Sequence, residues 1–349
     1  MHMKELRIGN KVAKYPIIQG GMGVGVSRGK LAGAVAKEGG VGIISSAQIG
    51  YDMEGFEKDQ ASCNLKAIEE QIALAKEISE GNGLVGVNVM VALKDYREHV
   101  RTAAKAGADV VICGAGLPMD LPELVEGYDT KIAPIVSSVR CASLLLRKWK
   151  KKYDYLADFV VIEGPKAGGH LGFTKEDAVS IKDFDKEIVA IIQEVKRFGR
   201  EFEKDIPVIV AGGVFDKKDI EHAFAIGASG VQIASRFVAT YECDASDAYK
   251  EAYVKATKDD ICIIKSPVGM PGRALRNKFI KSVEGSPCSV DKCYQCLAKC
   301  NPAKIPYCIT KALINAVKGD LEHGLIFCGD NVDRIKKIVS VHDLMAELV

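Results

Sequence analysis

Eight short apolar, β-branched runs recur along the chain, most of them separated by a stretch whose apolar residues fall at helical spacing. The runs are YPIIQ (15–19), VGII (41–44), LVGVNVM (84–90), DVVIC (109–113), KIAPIV (131–136), DFVVIE (158–163), IPVIV (206–210) and GVQIA (230–234). Between them lie segments such as GKLAGAVAKEG, NLKAIEEQIALAKEISE and KKDIEHAFAIGA. The runs are continuously apolar rather than alternating, the pattern of strands covered on both faces in a parallel sheet. Eight strands alternating with helices predict an α/β class, and the count favours a closed (βα)8 TIM barrel over an open doubly wound sheet. The open sheet requires a G-x-G-x-x-G turn after an early strand. QGGMGVGVSRG comes near it, but Val26 and Arg28 stand where the third glycine belongs.

A barrel takes about 250 residues, and the chain has 349. The α/β rhythm breaks at SPVGMPGRALRNKFIKSVEGSPCSVDKCYQCLAKC (266–300), and helical periodicity returns in YCITKALINAVKGD and DRIKKIVSVHDLMAELV. The expected organisation is a barrel over 1–265 and a Cys-rich loop with a helical C-terminal appendage over 266–349.

The 48 Lys and Arg nearly balance 46 acids, giving a formal charge of +2. That is no electrostatic footprint for nucleic acid or an anionic membrane. MHMKELRIGNKVAKYP lacks a signal-peptide apolar region, and no apolar run nears the roughly 18 residues of a membrane span. The expected location is cytoplasmic. Of the basic runs with aromatics, RKWKKKYDY (147–155) reads as a solvated helix face with Trp149 packed on the barrel. GRALRNKFIKS (272–282) is a candidate site for an acidic carrier protein or a nicotinamide phosphate, to which the overall charge adds no support.

In a barrel the loops after the strands' C-terminal ends form the catalytic face. Here those positions are bare: GGMG after the first strand, CGAG after the fourth, EGPKAGGH after the sixth and AGG after the seventh. Gly212 and Gly213 after the seventh strand, with Ala234 and Ser235 after the eighth, are the arrangement that holds a phosphate on backbone N–H groups. Tight turns alone are the other account of these glycines. His170 follows AGG on the same face. A lone histidine is more often structural, but at this place an imidazole with an ordinary pKa near 6.5 can take or return a proton at neutral pH.

YPIIQGGMG, VNVM, EGPKAGGHLG, VIVAGGV and GASGVQIASRFVAT occur in the order and near the spacing of the nitronate monooxygenase family, formerly 2-nitropropane dioxygenases. The chain resembles that family, and its close relatives the FMN-dependent enoyl-acyl-carrier-protein reductases, over about residues 5–280. The resemblance implies an FMN-binding barrel. It puts Gly21, Met22 and Gly23 along the flavin ring and Asn88 at its polar edge. Glu163, Gly168 and Gly169 would line the isoalloxazine site, and Gly212, Gly213, Gln232, Ile233, Ala234 and Ser235 would hold the phosphate. His170 matches the catalytic histidine. Two positions depart from the pattern: Glu163 stands where nitronate monooxygenases carry glutamine, and Ala234-Ser235 replaces Gly-Thr. An acid at 163 is the feature of the reductase branch.

Two chemistries are therefore expected from one loop. The first is oxidation of an alkyl nitronate with His170 as acid–base group. The second is NAD(P)H-dependent reduction of an enoyl thioester, with an acyl carrier protein as a partner. A flavin or metal-cluster electron-transfer or sensor protein is the third reading, and a homodimer is the oligomer to look for.

The chain has eleven cysteines, six of them crowded at Cys288, Cys293, Cys296, Cys300, Cys308 and Cys328. The spacing C288-x4-C293-x2-C296-x3-C300 allows four thiolates to converge on an iron–sulfur cluster or zinc, with free structural thiols as the other outcome.

Overall fold

The structure is a computed structural model that describes residues 3–181, 183–285 and 290–349. Eight parallel strands close into a barrel: β1 (Ile17–Gln19), β2 (Val41–Ser45), β3 (Leu84–Met90), β4 (Val110–Gly114), β5 (Lys131–Val136), β6 (Val160–Glu163), β7 (Val208–Ala211) and β8 (Gly230–Ile233). Each falls on one of the eight apolar runs, and β8 pairs with β1 to complete the ring through Val231↔Ile17, Gln232↔Ile18 and Ile233↔Gln19.

Continuous apolarity has its explanation in two cores. Inward-facing Ile18, Val41, Ile43, Val110, Ile112, Phe159 and Ile209 fill the barrel with Leu6, Ile8 and Ala13. Those last three come from an antiparallel hairpin, Leu6–Ile8 with Lys11–Ala13, so the hairpin contributes to the same interior core. Outward-facing Ile17, Ile44, Val85, Val87, Val111 and Val160 meet the helices in the second core. Successive residues of a strand point to opposite faces, so both sets must be apolar.

The helices begin where side chains can satisfy free N–H groups. The Asp59 side chain accepts from Ser62 N ahead of helix Gln60–Ser79, and Ser138 accepts from Cys141 N ahead of helix Val139–Tyr153. The latter helix carries the first basic run as expected: Lys151 and Lys152 are exposed, whereas Trp149 is fully buried and its Nε1 donates to Pro118 O at 2.9 Å.

The C-terminal part is tied into the barrel at several points. Strands Ile261–Lys265 and Pro271–Leu275 pair antiparallel, and the second also pairs with Gly169–His170 in the loop after β6. Helix Val341–Leu348 buries Val341, Leu344, Met345 and Leu348 in the outer core beside Leu31 and Val35. Among the described residues no helix is long and apolar enough to cross a membrane.

Candidate active site

The strands' C-terminal ends surround a cavity of about 380 Å³. Gly21, Met22 and Gly23, directly after β1, form one wall. Their bareness has a steric cause: a Cβ on Gly21 would stand 2.5 Å from Asn88 Cβ, and one on Gly23 would stand 2.7 Å from Ser45 Oγ. Asn88 of β3, Glu163 of β6 and Gln232 of β8 also line the cavity. Among the described residues none of these three side chains has a hydrogen-bond or ion-pair partner, so three polar groups from three strands meet at one space with their bonding capacity unused. Ile233 is the exception among the expected residues. Strand alternation turns it away from Gln232 into the outer core, where it is 2% exposed.

Burial raises the Glu163 carboxyl to a pKa of about 8, because no cation offsets the loss of water around it. At pH 7 it is mostly the neutral acid.

Gly168, Gly169 and His170 lie on the loop after β6, which a buried guanidinium holds in place. Arg273 Nη1 donates to Pro165 O and Ala167 O, both at 2.6 Å, and Nη2 donates to Ala178 O at 3.3 Å. This arginine belongs to the second basic run, whose Arg276, Lys278 and Lys281 are exposed, whereas Arg273 is 5% exposed and serves as an internal anchor. His170 Nε2 is 2.8 Å from Ser266 Oγ, and its ring meets Phe327 edge-on with centroids 5.0 Å apart. Loss of solvent lowers its pKa to about 4, so the imidazole is neutral at pH 7. Its Nδ1 has no partner among the described residues.

The late strands contribute Gly212, Gly213, Ala234 and Ser235 to the same cavity. Gly212 and Gly213 have φ of 87° and 105°, in the region that favours glycine, and a Cβ on Gly212 would stand 2.8 Å from Gly164 O.

Sequence reasoning missed the segment 327–331, FCGDN, every residue of which lines the cavity. It is stitched across the late strands: Cys328 N donates to Arg273 O, Gly329 N to Ser235 Oγ at 2.9 Å, Asp330 N to Lys166 O, and Asn331 Nδ2 to Gly213 O at 2.6 Å. A Cβ on Gly168 would stand 2.6 Å from the Cys328 carbonyl carbon. The bareness of AGG therefore also admits this backbone. The only signal in the sequence is a run of turn residues after the apolar GLIF, which gives no hint of where it docks.

None of Cys293, Cys296 and Cys300 in the cysteine-rich segment lines this cavity. Cys288 lies outside the described residues, Cys293 is exposed, and Cys296 and Cys300 are half-buried. All the described cysteines are free, and among the described residues no group of three or more His, Cys, Asp or Glu side chains could hold a metal ion as they lie.

The nitronate monooxygenase family model matches residues 4–73 and 57–349. The chain belongs to the nitronate monooxygenase family. Its members are flavin-dependent oxidoreductases. Among relatives, (3aS,4S,5R,7aS)-5-hydroxy-7a-methyl-1-oxo-octahydro-1H-indene-4-carboxyl-CoA dehydrogenase of Mycobacterium tuberculosis is 26% identical over 271 residues, 78% of this chain. That match spans 66% of the relative's length, just under two thirds. A probable nitronate monooxygenase of Staphylococcus saprophyticus is 24% identical, over 76% of this chain and 77% of its own. The structure of FabK from Thermotoga maritima superposes with a TM-score of 0.71 at 27% identity, covering 96% of this chain and 92% of FabK.

Proposed function

We propose that the chain is an FMN-dependent oxidoreductase that oxidises alkyl nitronates. The observation that carries the reading is the meeting of Asn88, Glu163 and Gln232, unpartnered, around glycine walls beneath a neutral His170. A flat ligand with a polar edge can use those three side chains without displacing any internal hydrogen bond. Backbone around Gly212, Gly213, Ala234 and Ser235 would take the phosphate, since small residues leave the N–H groups approachable. FMN, when bound, supplies the redox chemistry, and the protein orients the substrate and manages protons.

The side chains divide the proton work. His170 is neutral, with Nε2 held by Ser266 and Nδ1 open, so it can accept the α-proton of a neutral nitroalkane, leaving the nitronate that is oxidised, without first losing a proton of its own. Glu163 below about pH 8 presents one O–H donor and one C=O acceptor, the same pair of functions as a glutamine amide. On this account the acid at 163 stands in for the glutamine of the family pattern.

Reduction of an enoyl thioester with NAD(P)H is the second reading, and the acid at 163 favours it. So do two similar proteins, one named as a carboxyl-CoA dehydrogenase and FabK, an enoyl-acyl-carrier-protein reductase. Anaerobic flavin reduction by NADH, NADPH, a nitronate or nothing, followed by oxygen or crotonyl thioester, separates the two. Direct reduction by the nitronate is the expected result. Reduction only by a nicotinamide, with reoxidation by the thioester, would replace it with the second reading.

A further inference from the structure

We propose that Lys166 pairs with the phosphate of the flavin cofactor and so selects FMN over the unphosphorylated flavin. The assignment rests on the flavin reading and adds a charged side chain to its backbone contacts.

The phosphate end of the cavity supplies N–H groups but little charge. Among the described residues the N–H groups of Gly212, Gly213 and Val214, in succession after β7, have no acceptor. Ser235 Oγ accepts from Gly329 N at 2.9 Å, and its own O–H has no acceptor among the described residues. Successive free N–H groups make a concavity that takes an anion. A flavin phosphate, however, is a monoester that carries about −1.5 to −2 charge at pH 7. Burying that much charge on neutral donors alone is costly unless a cation offsets it.

Burial keeps Glu163 and His170 mostly neutral at pH 7. The other charged side chains that line the cavity are Lys166, Arg236 and Asp330. Arg236 is already engaged: it meets the Glu347 carboxylate at 3.1 and 2.8 Å and donates to Phe215 O. Asp330 has the wrong sign and lies 3.1 Å from Lys258 Nζ and 3.8 Å from Arg273 Nε. Lys166 Nζ has no hydrogen-bond or ion-pair partner among the described residues, so it is the one uncommitted cation among them on this wall.

Position brings this cation to the glycines. The stem of Lys166 runs over Gly213: a Cβ added to Gly213 would stand 3.2 Å from Lys166 Cβ and 3.1 Å from its Cδ, with the ammonium one methylene further on. The backbone of the lysine is fixed at the same place, because Lys166 O accepts from Asp330 N at 3.1 Å while Asn331 Nδ2 donates to Gly213 O at 2.6 Å. Its side chain is exposed, so the ammonium stays hydrated until a phosphate arrives. A lysine meets phosphate as a compact point charge on a flexible stem, which suits a contact made only when the ligand is present.

The test is titration of the full chain, freed of flavin, with FMN and with riboflavin, read by flavin fluorescence, for the wild type, Lys166→Met and Lys166→Arg. Methionine keeps an apolar stem over Gly213 without the charge. FMN should bind Lys166→Met about tenfold more weakly, the low end for a hydrogen bond to a charged group because the lysine is exposed. Riboflavin should bind the wild type and Lys166→Met alike within about twofold, and Lys166→Arg should hold FMN within about threefold of the wild type. Raising salt from about 0.05 to about 0.5 M should weaken FMN binding more for the wild type than for Lys166→Met. Unchanged FMN affinity in Lys166→Met overturns the assignment, and so does an equal loss for both flavins, which would make the lysine a packing residue only. Failure of the wild type to bind either flavin is a separate outcome, which removes the flavin reading itself and this assignment with it.

Discussion

Glu163→Gln is the substitution whose effect can be worked through most fully. Burial sets the carboxyl near pKa 8 with no cation to lower it. The acid-to-carboxylate ratio is then about 10:1 at pH 7 and about 1:10 at pH 9. If the neutral acid is the working form, wild-type turnover falls about tenfold across that interval. The glutamine variant keeps a donor and an acceptor at the same place and has nothing to ionise. It should match the wild type within about threefold at pH 7 and exceed it about tenfold at pH 9. The assay is nitronate turnover at equal flavin content, read as the variant-to-wild-type ratio at each pH, so that ionisation of the substrate cancels. Stability gives a second reading. Between the ordinary 4.5 and about 8 the folded chain keeps a proton that the unfolded chain has released, so stability falls as pH rises through that window. The glutamine variant should lack this fall. A variant inactive at every pH, or a ratio that stays flat to pH 9, would refute the reasoning and leave Glu163 as an ionised group or an obligate proton donor.

Three further changes test the rest of the site. His170→Ala should lower turnover of a neutral nitroalkane by about 10² to 10⁴ at equal flavin occupancy, the range for loss of a positioned acid–base group, and unchanged turnover would remove that role. Gly168→Ala sets a methyl 2.6 Å from the Cys328 backbone, so it should destabilise by about 1–3 kcal/mol and weaken flavin retention, as a thermal melt and a flavin titration would record. An unaltered melt would mean that the 327–331 segment yields freely. Arg273→Ala strips the donors from Pro165 O, Ala167 O and Ala178 O and should cost about 3 kcal/mol or more in urea unfolding, with flavin affinity falling alongside.

The barrel was legible because its eight strands are buried on both faces, which leaves an unbroken apolar run for each. The place of the cavity followed, since barrel geometry fixes which end of each run faces it. What periodicity could not give was contact between distant segments. Arg273 reads as one more cation in a basic run until the carbonyls of Pro165 and Ala167 are seen on its guanidinium. The segment 327–331 reaches the cavity through backbone N–H groups, to which any residue but proline contributes. Ile233 shares a motif with Gln232, but alternation along the strand aims their side chains at opposite faces, which a motif does not display.

The acid at 163 looks at first like an obstacle to an anionic nitronate. Two unit charges about 4 Å apart at an effective dielectric of about 20 repel by about 4 kcal/mol, enough to exclude the substrate. That repulsion exists only if Glu163 is ionised, and its environment opposes ionisation up to about pH 8. His170 stays uncharged down to about pH 4. Between those limits neither group carries charge, and the same neutral acid can donate to a nitronate oxygen or to a thioester carbonyl. A neutral Glu163 therefore serves either chemistry, although an acid at this position matches the reductase branch by resemblance; charge on the substrate is what separates the two. Above pH 8 a nitronate should be rejected by the wild type and accepted by Glu163→Gln, while an uncharged enoyl group at the same position should respond far less to the change.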